Sequence, residues 1–189
     1  MGEIYFTSDL HFNHDKEFLY KPRGFESIGD MNRAVVENWN EVVTKDDLVY
    51  VLGDLMLGGN AGTEDGIELL SQLNGEIHII LGNHDTNKRI EAYKTLPNVT
   101  SILYADRIKY NGYSFFLTHF PCITSNLEKE TLKQCTINLF GHTHSKDKFY
   151  LEYPFMYNVA LDAHDNRPVW IEKVLQDLKN KENECKLQL

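Results

Sequence analysis

Five short apolar runs in this chain each end in a side chain that can carry a proton or ligate a metal, and this repeated ending constrains the fold more than any other feature. Ile4-Tyr5-Phe6 leads into Ser8-Asp9-Leu10-His11, and Leu48 to Leu52 into Gly53-Asp54. Ile77 to Leu81 leads into Gly82-Asn83-His84-Asp85, Phe115 to Leu117 into Thr118-His119, and Ile137 to Phe140 into Gly141-His142-Thr143-His144. The runs are short and rich in β-branched and aromatic residues, which favours strands. Tyr157 to Leu161 is a sixth run of the same kind. Several lack polar alternation, as strands covered on both faces do. Helical stretches separate them, so the fold class read from the pattern is α/β.

In open α/β sheets ligands gather beyond the carboxyl ends of the strands. Five such ends would bring Asp9, Asp54, Asn83, His119 and His142 together from distant points of the chain. Asp9 and His11 are two residues apart, as are His142 and His144, so in extended backbone each pair faces one way. The glycines before Asp54, Asn83 and His142 permit sharp turns and close backbone approach. Taken singly, an Asp-x-His or a Gly-Asp reads as a hydrogen-bonded loop. Taken as a set, polar groups crowded at one strand edge would be costly without a compensating partner, which a bound metal supplies.

The intervening segments fit this frame. Asp30 is expected to cap a helix whose broad face carries Met31, Ala34, Val35, Trp39, Val42 and Val43. Thr63 is expected to start another through Ile67, Leu70 and Leu73, ended by Asn74-Gly75. A last helix is expected over about Ile171 to Lys181, with a solvated tail. Pro22-Arg23-Gly24 and Gly58-Gly59-Asn60-Ala61-Gly62 read as loops. No linker or repeat divides residues 1–189, which are expected to form one domain.

Charge and cysteine content narrow the setting. The formal charge of −9 argues against a broad grip on a nucleic-acid backbone, because that grip comes from clustered Lys and Arg. Three unpaired-looking cysteines, Cys122, Cys135 and Cys185, suit a reduced, cytoplasmic location. Neither a membrane-length apolar stretch nor a signal-peptide pattern is visible, so no membrane partner is expected.

The ordered series Asp9-x-His11, Gly53-Asp54, Gly82-Asn83-His84-Asp85, His119 and Gly141-His142-x-His144 resembles that of the calcineurin-like metallophosphoesterases. The likeness continues more loosely through Asn158 to Asp162 and Arg167-Pro168-Val169, as in small bacterial and phage members. It implies a four-layer α/β/β/α sandwich of two mixed sheets flanked by helices, with two divalent metal ions at one sheet edge. It also implies the ligands: Asp9, His11, Asp54 and His144 for one ion, and Asp54, Asn83, His119 and His142 for the other, with Asp54 bridging. Nitrogen and oxygen donors without cysteine suit Mn²⁺, Fe, Zn²⁺ or Ni²⁺, with Mn²⁺ the first choice. The implied activity is hydrolysis of a phosphate monoester or diester by a metal-bridging hydroxide. Asn83 would help hold the phosphoryl oxygens, His84 would protonate the leaving oxygen, and Asp85 would brace the loop. One departure stands out. Many relatives carry an acid three places after the Gly-Asp aspartate, where this chain has Leu57, so the group that orients His84 is open.

Beyond the series, His14 and Arg23 are candidate substrate contacts. His78, out of phase with Asn83, reads as structural. Asp162 and His164 read as supporting or surface residues. Phe12, Tyr20 and Phe25 could stack a base but read better as core. The expected substrate is a small, nucleotide-like phosphate ester, with long nucleic acid disfavoured. The alternatives are a nuclease, for which no basic track is visible, and a non-catalytic scaffold of the same fold, which the full set of His84, His119, His142 and His144 disfavours.

Overall fold

The apolar runs become strands of two mixed sheets in a computed structural model of the chain, which describes residues 2–58, 60–125 and 131–187. In the first sheet β1 (Ile4–Thr7), β2 (Leu48–Val51), β3 (Glu76–Ile80) and β4 (Val99–Leu103) run parallel. The second sheet contains β5 (Asp106–Tyr110), β6 (Tyr113–Leu117), β7 (Thr136–Phe140) and β8 (Met156–Asn158), in that order. There β5 is antiparallel to β6 and the other pairs are parallel. The short β9 (Val169–Trp170) returns to the first sheet, antiparallel to β1, giving the order β4-β3-β2-β1-β9. Helices α1 (Glu17–Tyr20), α2 (Ile28–Val42), α3 (Asn60–Ser71), α4 (Asn87–Tyr93) and α5 (Ile171–Leu187) complete the α/β arrangement.

Burial on both faces explains the missing polar alternation. Val49, Val51, Ile77 and Ile79 pack with Val35, Trp39 and Leu70 in one core. The alternate residues Phe6, Tyr50, Leu52 and Ile80 meet Phe115, Leu117, Ile137 and Leu139 in a second core, to which α5 adds Val174, Leu175 and Leu178. Phe12 and Tyr20 are buried in the first core, and Phe25 packs against it. His78 pairs with Glu76 and lies edge-on to Tyr50.

Several boundaries differ from the sequence reading. Helix α2 begins at Ile28, because Ser27 is its cap: the hydroxyl accepts from Asp30 N at 3.1 Å. Asn60 to Gly62, read as loop, already belong to α3, while Gly59 lies outside the described residues. Helix α5 continues to Leu187. Strands β4, β5 and β9 were not anticipated. They are edge or near-edge strands with exposed positions, so their apolar signal is weak.

Topology places the site. Because β1, β2 and β3 are parallel, their carboxyl ends share one edge of the first sheet, and those of β6 and β7 share one edge of the second. A parallel bridge between Ser8 and Ala160, with Leu161 N donating to Ser8 O at 3.2 Å, ties the two edges together.

Candidate metal centre

The loops leaving the strands are bound to one another before any side chain is considered. Asp9 N donates to Gly53 O at 3.0 Å, His11 N to Asp54 O at 3.0 Å, and Gly141 N to His119 O at 2.9 Å. Asp9, His11, Asp54, His142 and His144 all adopt left-handed backbone, with φ between 49° and 69°. For L-residues this costs on the order of 1 kcal/mol each, strain that collects at functional sites. At Gly82 and Gly141 there is no room for a Cβ: it would collide with the Asp54 carboxylate in one case and with Ser8 and the Asp9 carboxylate in the other. The sequence thus spends its glycines on letting two carboxylates reach the strand edge.

The carboxylates meet nitrogens there. Asp9 is fully buried; its Oδ2 accepts from the Ser8 hydroxyl at 2.6 Å and from His142 N at 2.9 Å. Its Oδ1 has no hydrogen-bond partner, and neither does the buried His11 Nε2. These two orphaned atoms are 3.7 Å apart, and His144 Nε2 lies 3.8 Å from the same oxygen. Asp9, His11 and His144 present ligand atoms within 4.8 Å of one another, as do Asp9, Asp54 and His119. Unsatisfied buried polar atoms converging in this way are costly unless a cation joins them, so the residues fit a divalent metal.

His119 gives the same answer from its tautomer. Its Nδ1 stands 2.7 Å from Leu52 O and must donate to that carbonyl. Its Nε2 then faces Asn83 Oδ1 at 3.0 Å and Asp54 Oδ2 at 3.4 Å, both acceptors. An imidazolium proton or a metal cation satisfies this trio. Without metal, burial pulls the His119 pKa down, but the hydrogen bond to Asp54 and the Asp9 and Asp54 charges raise it overall. Burial pushes the Asp54 carboxyl up, yet His119, the His84 amide and His11 hold it at about 2. His142 lies outside the two tight donor groups, with its ring 5.0 Å from that of His119 and 4.6 Å from that of Phe120.

Supporting residues fix this arrangement. His144 Nδ1 is 3.2 Å from Asp162 Oδ2, which orients the ring and frees Nε2. Asp162 is in turn gripped by Arg23, whose Nε and Nη2 donate at 3.0 and 2.7 Å, while Nη2 also reaches Asp9 O at 2.8 Å. The Arg23 side chain is therefore buried beneath the ligand loop rather than turned into the cleft. A buried guanidinium requires its carboxylate there, so the structure replaces the expected substrate contact with a positioning role. Asp85 accepts from Asp54 N at 2.9 Å, Gly82 N at 2.8 Å and the Tyr93 hydroxyl at 2.8 Å, bracing the loop. His164 is held by Asn158 O at 2.8 Å, away from the ligand atoms.

His84 remains open to solvent. Its amide donates to Asp54 Oδ1 at 2.8 Å, and its carbonyl accepts from Arg89, which also reaches Gly58 O at 3.0 Å. Main-chain anchoring by Asp54 and Arg89 thus positions His84 where Leu57 supplies no acid. The His84 ring lies 5.5 Å from that of His11 and 6.3 Å from that of His14. His14 Nδ1 is 3.3 Å from His11 Nδ1, and burial, followed by the neighbouring histidine charges, pushes its pKa down to about 4. His14, His84, His142 and Asn83 line a cleft of about 500 Å³ whose outer wall is Phe18, Leu19 and Pro22. A separate depression of about 450 Å³ between α2 and α3 lies away from these groups. Sequence reasoning missed Ser8, Arg89 and Phe18. Ser8 adjoins the Asp-x-His pair, but nothing local marks the other two.

Residues 2–146 match the family described as calcineurin-like phosphoesterase. The chain belongs to that family. An uncharacterized protein of Methanocaldococcus jannaschii is 35% identical over 185 residues, covering 93% of this chain and 91% of its own. The gene 66 protein of Mycobacterium phage D29 is 30% identical over 190 residues, covering 89% of this chain and 93% of its own. A solved protein of unknown function from Aquifex aeolicus shares the fold, with a TM-score of 0.70 at 21% identity, over 93% of this chain and 99% of that one. As a calcineurin-like phosphoesterase the chain is a hydrolase, and the family implies divalent metal ions at the donor groups just described. Among the described residues no helix is long and apolar enough to cross a membrane.

Proposed function

We propose that this calcineurin-like phosphoesterase is a two-metal hydrolase of small, nucleotide-like phosphate esters, with Mn²⁺ as its first-choice ion. One observation carries the reading: buried Asp9 Oδ1 and His11 Nε2 have no partners of their own and face each other beside His144 and Asp54. Asp9, His11, Asp54 and His144 would hold one ion, and Asp54, Asn83, His119 and His142 the other. Two divalent cations bound there supply Lewis acidity and a hydroxide nucleophile near neutral pH.

The chain's own groups do the rest. The Asn83 amide steadies a phosphoryl oxygen. The half-exposed His84 ring, held through its main chain, delivers a proton to the leaving oxygen. His14 lines the same cleft beside His84. The cleft volume of about 500 Å³ suits a small ester, and a net charge of −9 gives a long polyanion little to hold.

A substrate panel on Mn²⁺-loaded and chelated protein tests this. It would contain nitrophenyl phosphate, bis-nitrophenyl phosphate, 2′,3′- and 3′,5′-cyclic nucleotides and single-stranded DNA. The expected result is hydrolysis of small esters that chelation abolishes. A per-bond preference for the long strand that fades with salt would replace the reading with a nuclease, and no hydrolysis of any substrate would leave a scaffold.

A further inference from the structure

Phe18 is 73% exposed, and nothing in the metal chemistry uses it. A lone exposed phenylalanine needs no explanation. This one, however, is held outward by its neighbours, since Leu19 and Tyr20 in the same turn are buried. Its ring stands edge-on to His14 at 5.7 Å, and it lines the same cleft as Asp54, Asn83 and His84. The cleft is therefore two-sided, with ionisable ligands on its floor and Phe18, Leu19 and Pro22 on its wall.

The rings between connect the wall to the proton donor. His84 lies 6.3 Å from His14, and His14 5.7 Å from Phe18, so His14 neighbours both the proton donor and the apolar face in one cleft. The exposed aromatic at the other side, Phe120, packs against His119 and His142 instead and does not line this cleft. A leaving group that takes its proton from His84 thus lies in the cleft that Phe18 walls.

We propose that Phe18 is the specificity-determining platform of the site, on which the flat ring of a nucleoside leaving group stacks, so that the substrate is a nucleoside phosphate and the group released from phosphorus is the one carrying the base. This rests on the two-metal hydrolase reading for the position of the phosphate. Stacking on one exposed ring tolerates any base, because every base has a π-face. The chemistry on the wall therefore selects for a planar ring and not for one particular base. The phosphate end is recognised by the ligand groups alone.

Binding separates the two ends. Adenosine 5′-phosphonate and ribose 5-phosphonate, whose C–P bonds resist hydrolysis, would be titrated calorimetrically into Mn²⁺-loaded wild type, Phe18→Ala and Phe18→Tyr. The expected result is that wild type binds the adenosine compound more tightly, by about 5- to 150-fold, the usual loss when a stacked aromatic is cut to alanine. Phe18→Ala should erase that preference while binding the ribose compound as before, and Phe18→Tyr should keep it. The side chain is exposed, so truncation leaves the fold intact. Equal affinities in wild type, or an equal loss for both compounds in Phe18→Ala, would overturn the proposal. Should the protein hydrolyse none of the small esters, the two-metal reading fails, and this binding comparison still decides Phe18.

Discussion

Strand β2 has a buried aspartate beyond each of its ends, Asp47 before it and Asp54 after it, and the two are used in opposite ways. Asp47 is enclosed by donors from the chain. Oδ1 accepts from Glu3 N at 2.7 Å, and Oδ2 accepts from Thr44 N at 2.7 Å and the Thr44 hydroxyl at 2.8 Å. Asp54 spends Oδ1 on the His84 amide at 2.8 Å and turns Oδ2 to the Nε2 atoms of His119, His11 and His84, at 3.4, 3.7 and 3.9 Å. Burial pushes both carboxyls up and is outweighed in both. At Asp47 the opposing force is backbone and hydroxyl hydrogen bonds; at Asp54 it is first the hydrogen bond from His119 and then the charge of that ring. A carboxylate satisfied by fixed dipoles stabilises the fold. A carboxylate oxygen that faces only imidazole nitrogens can be a site, since a metal ion can take the place of their protons.

The largest effect expected from separating these roles is at His84, on the open side of Asp54. His84→Asn should lower the rate by roughly 10²–10⁴, the usual size of proton assistance, while both metals stay bound. The loss should grow with the basicity of the leaving group, since a nitrophenolate departs with little help and a ribose alkoxide needs a proton. Rates of both proteins plotted against leaving-group pKa check this. An equal loss on every ester would make His84 a holder of the phosphoryl group instead.

A smaller effect is expected at the closed end. Asp47→Ala should cost about 1–3 kcal/mol of folding stability by stranding the Glu3 and Thr44 donors, with kcat and metal content unchanged. The folded-state pKa of Asp47 is lowered, so its contribution is fully present above the unfolded carboxylate value near 4 and is lost as pH falls through the folded value. Denaturant melts of wild type and variant should therefore differ by a constant amount from about pH 7 to pH 5 and converge in more acid solution. A gap that widens on acidification, or a variant that loses metal, would break the contrast between the two ends.

How far the sequence reveals this plan depends on how local the signal is. The polar strand ends were legible because each group follows a strand directly, and parallel pairing within each sheet then carries them to two edges that the Ser8–Ala160 bridge ties together. Asp54, His119 and Asp9 needed no knowledge of the turns between. Helix α2 was found, but its start was misplaced because Ser27 and Asp30 both resemble caps, and only the hydrogen bond between them shows which comes first. Strand β5 was legible in principle. Asn111 and Gly112, with φ of 48° and 81°, form the two-residue turn that pairs it with β6, and Asn-Gly is a strong hairpin signal. Arg23 could not be placed, because its partner Asp162 is 139 residues away. Arg89 and Phe18 were equally hidden, since a short helix and a one-turn helix carry no periodicity that points at a cleft.

The central claim is that Asp54 is shared by two metal ions while its counterpart at the other end of β2 touches neither. Metal content per chain decides it directly, measured after Mn²⁺ loading and gel filtration on wild type, Asp54→Ala, His11→Ala and Asp47→Ala. The account predicts about two ions in wild type and in Asp47→Ala, loss at one site in His11→Ala, and loss at both sites in Asp54→Ala. Full occupancy in Asp54→Ala would contradict it.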